Sequence, residues 1–216
     1  SFSLRIPEVL GEEKLTSHIP LIGQHNVANV VAVVATLATV GIGPRESLKI
    51  FEDFPGVPGR LEKVTNSRSL AVLVDYAHTP DALKNVLLSL QKVRTSGNSK
   101  SKIWTVFGCG GDRDRTKRPL MAAIAEEYSD FVIATSDNPR TEDPKKILEE
   151  VAAGFKNKNS SQIYIEVDRK VAIEIALKNA GAQDVILVAG KGHEDYQIIG
   201  STKIPFSDQK VIREFI

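Results

Sequence analysis

The sequence has almost no cysteine, almost no net charge and no long apolar run, and each shortage removes a class of protein. Its one cysteine, Cys109, rules out an internal disulfide and fits a reducing, cytoplasmic setting. In the glycine-rich string around it, Cys109 reads as a small residue of a tight turn rather than as a nucleophile. The charges nearly cancel, 28 Lys and Arg against 27 Asp and Glu for a formal +1, so no global field draws the chain to nucleic acid or to an anionic membrane. Recognition of a phosphate or carboxylate must then be local. The longest apolar run, 30–40, is broken by Thr36 and Thr39 and falls short of the roughly 20 residues a bilayer requires; it is expected as a buried helix. No basic-then-apolar signal segment opens the chain. What is present, 42% hydrophobic and 25% charged over 216 residues, is ordinary globular composition with enough chain to bury a core.

The organisation changes along the chain. Residues 2–6 alternate like a strand already in progress, which leads to the expectation of a piece from a longer protein, and a second extended stretch covers 14–21. Gly23 leads through His25, Asn26 and Asn29 into the apolar helix; Gly41 and Gly43 stop it, and Pro44 starts another running to about Asp53. Phe54-Pro55-Gly56-Val57-Pro58-Gly59 packs two prolines and two glycines into one short string and is the best linker in the sequence. Residues 1–57 and 58–216 are expected as separate units.

Beyond the linker, β and α alternate. Strands are expected at 60–64, 70–74, 102–107, 131–135, 162–167 and 185–189, most of them short, apolar and rich in β-branched residues. Helices are expected at about 80–93, 118–128, 144–155 and 169–179, with Pro80, Pro119 and Pro144 near first helical positions, where a missing donor costs nothing. A hairpin about Gly200-Ser201 and a last helix after Asp208 close the chain. The expected fold class is α/β, a Rossmann-like doubly wound domain with a mostly parallel sheet.

Polar clusters follow four of the apolar runs: Asp75-Tyr76-Ala77-His78, Gly108-Cys109-Gly110-Gly111-Asp112-Arg113, Asp137-Asn138-Pro139-Arg140 and Gly190-Lys191-Gly192-His193-Glu194. Parallel strands would bring all of them to one rim, where open α/β sheets bind ligands. Simpler motifs fail. Arg113 stands where G-x-G-x-x-G needs its third glycine, and His193 with Ile186 breaks the P-loop pattern. A lone His beside a lone Glu does not make a zinc site. What remains is two guanidiniums, Arg113 and Arg140, with Asp137 and Glu194 for a cation and Gly190 for a backbone contact. A ligand with carboxylates and ammonium groups, an amino acid, matches that set. Taken singly, Asn29 as a helix-start residue, His78 as a turn residue and Arg60 as a surface charge each have a plain structural reading.

The ordered strings G-x-H-N-x-x-N (Gly23 to Asn29), G-R-L-E (Gly59 to Glu62), D-Y-A-H-T-P-D-A (from Asp75), F-G-C-G-G-D-R-D (from Phe107), D-N-P-R and A-G-K-G-H-E resemble the Mur ligases of bacterial peptidoglycan synthesis over nearly the whole chain. The resemblance implies that 1–57 is the tail of a central α/β ATPase domain and 58–216 the C-terminal domain that receives an amino acid. It implies an ATP- and Mg2+-dependent amide ligase that adds meso-diaminopimelate to UDP-N-acetylmuramoyl-L-alanyl-D-glutamate through an acyl phosphate, D-N-P-R being the diaminopimelate version of its motif. Carried over by motif, Arg113, Asp137, Asn138, Pro139, Arg140, Gly190 and Glu194 would bind diaminopimelate. Asn26, Asn29, Arg60 and Asp75 would line the ATP side with His78 close by, and no residue is assigned as a metal ligand. The family's G-T-x-G-K-T loop has no counterpart, so this chain alone is expected to be inactive. Gln209 stands where relatives often have arginine. A lysine-adding ligase and a non-catalytic amino acid or nucleotide binding module or scaffold remain as alternatives.

Overall fold

The structure is a computed structural model that describes residues 2–6, 13–19, 21, 23–96, 100–157 and 160–215. The chain divides into two compact units, Ser1–Val57 and Pro58–Ile216.

In the smaller unit, strands β1 (Phe2–Ile6) and β2 (Glu13–Ser17) pair antiparallel, Phe2 opposite Ser17 and Ile6 opposite Glu13. Helix α1 (Gln24–Thr39) begins directly after Gly23, so Asn26 and Asn29 lie inside its first turns rather than ahead of it. Asn29 is therefore an exposed helix residue and not a helix-start residue. Helix α2 (Pro44–Glu52) opens on its proline. Leu15, Ile19, Val30, Val34 and Leu48 form the core. The apolar run of α1 is buried on one side only: Val30 and Val34 are 2% exposed, whereas Val33 is 42% and Val40 71% exposed. The expectation of a buried helix is corrected here to one buried on a single face, because the described elements cover only the face carrying Val30 and Val34.

The larger unit is a six-stranded sheet with helices on both faces and a separate antiparallel hairpin pairing Tyr196–Ile199 with Thr202–Pro205. In chain order its elements are β3 (Glu62–Val64), β4 (Ala71–Asp75), α3 (Pro80–Ser96), β5 (Ile103–Cys109), α4 (Lys117–Tyr128), β6 (Phe131–Ser136), α5 (Pro144–Ala152), β7 (Ile163–Glu166), α6 (Arg169–Asn179), β8 (Val185–Ala189), β9 (Tyr196–Ile199), β10 (Thr202–Pro205) and α7 (Asp208–Glu214). The strand order is β3-β4-β8-β5-β6-β7, with only β3 antiparallel to its neighbour. This is the α/β fold with a mostly parallel sheet.

Local chemistry explains the helix starts. Asp143 accepts from the amide of Lys145, Asp168 from those of Lys170 and Val171, and Ser207 from that of Lys210; each satisfies donors that a helix leaves orphaned. Pro119 falls at the third helical position of α4, still within the turn whose amides need no helical partner. Helix α5 stops at Ala152, short of 155, and the chain turns closely onto α4: a Cβ on Gly154 would stand 2.0 Å from the Pro119 carbonyl oxygen.

The sheet order dictates which face each helix covers. The path β4 to β5 to β6 to β7 runs one way across the sheet, and β8 returns between β4 and β5. With right-handed crossovers, α3, α4 and α5 share one face and α6 the other. Side chains follow: Val72, Val74, Trp104, Val106, Ile133, Ile186 and Val188 pack against Ala172, Ile173, Ala176 and Leu177 of α6 and Ile212 of α7. Alternate residues point the other way, as Cys109 does to place its Sγ 3.7 Å from Met121 Sδ of α4. Cys109 is thus the last residue of β5, not a turn residue. No helix among the described residues is long and apolar enough to cross a membrane.

Candidate functional site

The parallel register levels the four polar clusters. Asp75 lies opposite Ala189, Phe107 also opposite Ala189, and Cys109 opposite Ser136. Asp75, the glycine-rich string after β5, Asp137 and Gly190 therefore emerge from four adjacent strands at one edge. Strand β8 follows its crossover on the face opposite to those of its neighbours, the situation in which open sheets hold ligands.

At the β6 and β8 ends the polar groups are interlocked. Lys191 is fully buried, its Nζ 3.0 Å from Glu194 Oε2, 3.3 Å from Asn138 Oδ1 and 3.5 Å from Asp137 Oδ1. Asn138 donates from Nδ2 to the same Glu194 Oε2 at 2.9 Å and accepts the Ile198 amide on Oδ1 at 2.9 Å. The Asp137 carbonyl accepts from Gln197 Nε2 at 2.6 Å. Gly190, at φ 114, carries no Cβ, and one placed there would sit 3.3 Å from Asp137 Oδ2. Pro139 is buried beside them. Asp137, Asn138, Gly190 and Glu194 are thus brought together, and Lys191 is the residue that sequence reading missed. It sat in view inside Gly-Lys-Gly, but only its burial shows that its ammonium points inward.

Arg140 reaches this corner in a left-handed conformation, φ 50, which non-glycine residues seldom adopt. The hairpin holds it there: its amide donates to the Ile198 carbonyl at 3.0 Å and its carbonyl accepts from the Gly200 amide at 2.7 Å. Its Nη1 donates to the Gly111 carbonyl at 2.8 Å. Nη2 and Nε make no hydrogen bond among the described residues. Arg113 is exposed, with one long bond from Nη1 to the Asp112 carbonyl at 3.4 Å. Both arginines flank Gly110, where an added Cβ would lie 3.0 Å from Arg140 Nη1 and 3.7 Å from Arg113 Cγ.

A second buried cation supports these strings from below. Arg118 is fully buried and bonds Glu142 Oε2 at 2.9 Å, Glu150 Oε2 at 2.7 Å and the Gly110 carbonyl at 3.2 Å. Glu142 in turn accepts the Asp112 amide. The Arg118 hydrogen bonds hold the Glu142 carboxyl down to about 2. Behind β8, Arg169 and Asp208 form a pair with no exposure, 2.8 Å apart, and Arg169 also donates to the Ala189 carbonyl at 3.0 Å. Gln209 bridges Glu62 Oε2 at 3.0 Å and the Gly192 carbonyl at 2.9 Å. The Cys109 thiol is pushed up to about 12 by burial, so the thiolate a nucleophile needs does not form.

The β4 end is different in kind. Asp75 is buried, and its carboxylate accepts the amides of Leu61 and Ala77, each at 2.8 Å. It braces the turn rather than facing outward. Around it Tyr76 carries the Arg60 guanidinium 4.9 Å above its ring, His78 edge-on at 4.7 Å and His193 at 5.4 Å. The His78 Nδ1 lies 2.8 Å from the Tyr76 carbonyl. Gly59 and Gly192 allow the strings bearing Arg60 and His193 to meet, since a Cβ on Gly59 would stand 2.1 Å from the His193 nitrogen. Tyr76 and His193 were missed as members of this group. Asn26 and Asn29 belong to the smaller unit, on α1. Among the described residues no group of three or more His, Cys, Asp or Glu side chains is placed to hold a metal ion.

Comparison with known proteins gives a consistent answer. The profile of the family described as "Mur ligase, glutamate ligase domain" matches residues 59–192. A UDP-N-acetylmuramoyl-L-alanyl-D-glutamate--2,6-diaminopimelate ligase of Prochlorococcus marinus subsp. pastoris is 44% identical over 211 residues, covering 95% of this chain and 40% of the relative. A ligase of the same name from Lawsonia intracellularis is 50% identical over 197 residues, 91% of this chain and 39% of its own length. A solved structure of a ligase of that name aligns with TM-score 0.67 and 38% identity over 94% of this chain and 40% of that one. The folylpolyglutamate synthase of Thermotoga maritima, 17% identical with TM-score 0.60 over 82% of this chain and 38% of its own, shares the fold. The chain spans about two fifths of the length of the curated relatives it matches.

Proposed function

The chain belongs to the Mur ligase family, and from that premise we propose that it supplies the amino-acid-receiving part of an ATP-dependent amide ligase that adds meso-diaminopimelate to UDP-N-acetylmuramoyl-L-alanyl-D-glutamate. The observation that carries this reading is the corner where an arginine with unused donors, Arg140, stands beside two carboxylates, Asp137 and Glu194, that share one buried lysine. Diaminopimelate has one ammonium and one carboxylate at each end. One end presents the attacking amine; the other needs an anion and a cation partner at fixed spacing. Asp137 with Glu194 suits the distal ammonium, and Arg140 suits the distal carboxylate by a charge-assisted bond. Gly190 keeps the approach to Asp137 open, Asn138 and Pro139 hold the turn, and exposed Arg113 adds a second positive group on the same rim.

No protein nucleophile enters this scheme. The chain's contribution is orientation of the amine and neutralisation of the ligand's charges. ATP supplies the activation of the acceptor carboxylate. The residues at the β4 end fit a nucleotide: a Tyr76 ring with His78 edge-on and His193 tilted against it and the Arg60 cation over it, braced by Asp75. Asn26 and Asn29 are assigned to the same ligand by motif. Neither a G-x-x-x-x-G-K-[ST] string nor an acidic cluster for Mg2+ occurs among the described residues, so phosphoryl transfer is assigned to the length of the relatives that this chain does not span.

The test is Arg140→Ala in the full-length ligase that carries this chain. The specificity constant for diaminopimelate should fall by about 2–4 kcal/mol in transition-state terms, the range for losing a desolvated charge partner. Unchanged diaminopimelate use, or equal use of lysine by the unaltered enzyme, would overturn the assignment.

A further inference from the structure

Lys191 is a buried cation that the proposed reaction does not consume, and its contacts are unusually complete. An ammonium has three donors and no acceptor. Here three acceptors surround it, Glu194 Oε2, Asn138 Oδ1 and Asp137 Oδ1 at 3.0, 3.3 and 3.5 Å, and the Tyr196 ring lies 5.5 Å away. With no exposure of its own and every proton engaged, it has no reach toward a ligand.

What it does is divide each carboxylate in two. Glu194 Oε2 takes both Lys191 and Asn138 Nδ2, while Oε1 accepts no hydrogen bond among the described residues. Asp137 Oδ1 faces Lys191, while Oδ2 is turned toward Gly190, where an absent Cβ leaves room. The lysine is sealed, whereas the Asp137 and Glu194 side chains retain 10% and 16% exposure. Asn138 cannot reverse this arrangement, because the Ile198 amide fixes its oxygen on the lysine side. One inner oxygen of each acid is therefore held by the protein and one outer oxygen is left for something else. The charges add in the same sense: two carboxylates and one ammonium leave a single negative charge, which one ligand ammonium balances. Two uncompensated carboxylates in so enclosed a place would be costly.

We propose that Lys191 is the positioning residue of the acceptor site, fixing Asp137 and Glu194 so that their outer oxygens form one singly charged seat for a ligand ammonium. This rests on the acceptor reading above. In the full-length ligase, Lys191→Met keeps the stem and removes the charge. It should raise KM for diaminopimelate at least tenfold, leave KM for ATP within twofold, and erase most of the preference for diaminopimelate over 2-aminopimelate, which lacks the distal ammonium. Lys191→Arg, which keeps the charge, should restore part of that preference. A purely structural lysine would raise both KM values together, or lower the melting temperature with the preference intact, and either result overturns the proposal. If Lys191→Met does not fold, Lys191→Gln, which keeps hydrogen-bond donors but removes the charge, decides the matter: a lost preference with normal KM for ATP supports positioning, and an unchanged one overturns it. Failure of the unaltered enzyme to use diaminopimelate overturns the acceptor reading and this one with it; normal use with an unmoved KM in Lys191→Met overturns this one alone.

Discussion

At the β6 and β8 ends of the rim the protein fixes its polar groups by enclosing them: Lys191 and Arg169 are fully buried, and Asp137 and Asn138 nearly so. At the β4 end it leaves them out, with Arg60, His78 and His193 exposed around a half-buried Tyr76 and only Asp75 sealed below. A buried charge network tolerates one geometry, because each group displaced from its partner is stranded without water. A loose group of rings, most of them exposed, tolerates several, because contact is nondirectional and solvent fills the gaps. The first suits a ligand whose ends must be told apart by charge, the second a flat heteroaromatic base that is common to many substrates. One sheet edge thus carries a corner of enclosed, fixed charges and a corner of more exposed, looser contacts.

That contrast can be broken most severely from behind. Asp208→Ala leaves the Arg169 guanidinium buried without its acid, and loss of one partner from such a pair costs about 3–5 kcal/mol; urea unfolding of the full chain should show it as a large fall in midpoint. The same change leaves Arg169, which donates to the Ala189 carbonyl next to Gly190, without the acid that orients it, so diaminopimelate use should suffer more than ATP use. A smaller effect should come from the open corner. Tyr76→Ala removes the ring that Arg60, His78 and His193 share, and base stacking on an aromatic is worth about 1–3 kcal/mol. The full-length enzyme should show a raised KM for ATP with KM for diaminopimelate little moved; the reverse pattern would mean that the two corners have been assigned the wrong way round.

The smallest effect concerns pH. Hydrogen bonds from Arg118 depress Glu142 from an ordinary 4.5 to about 2, and Glu150 is lowered too, first through Arg115 and then Arg118. A carboxyl that is more acidic when folded stabilises the fold above its unfolded pKa and loses that contribution as pH falls through the folded one. Stability should therefore decline between about 4.5 and about 2, and Glu142→Gln should flatten the decline. Urea midpoints at pH 6 and pH 3 check this; equal slopes in the two proteins would remove Glu142 from the account.

Much of the fold was legible in the chain, for local reasons. Short β-branched runs, Pro80 and Pro144 at first helical positions, and Asp143 and Asp168 as caps are signals that lie within a few residues of what they control. Helix α1 starts earlier and is less buried than its sequence suggests, because Gly23 precedes it without a side-chain cap to mark the start, and composition alone does not say how many faces of a helix are covered. The site was legible to the level of clusters on one rim. Lys191 escaped notice because its partners Asp137 and Asn138 lie 54 and 53 residues away.

The sequence by itself determined the alternation of strands and helices, the strings that meet at one sheet edge and the mixture of arginines and acids among them, since periodicity and chain order suffice for these. Tertiary structure decided which charges face inward. Asp75 turned to brace backbone amides, Lys191 folded under Asp137 and Glu194, and Arg140 was pinned by a hairpin nearly sixty residues downstream. The physical reason is burial: the role of a charge depends on whether water or another charge neutralises it, and only the packed chain settles that.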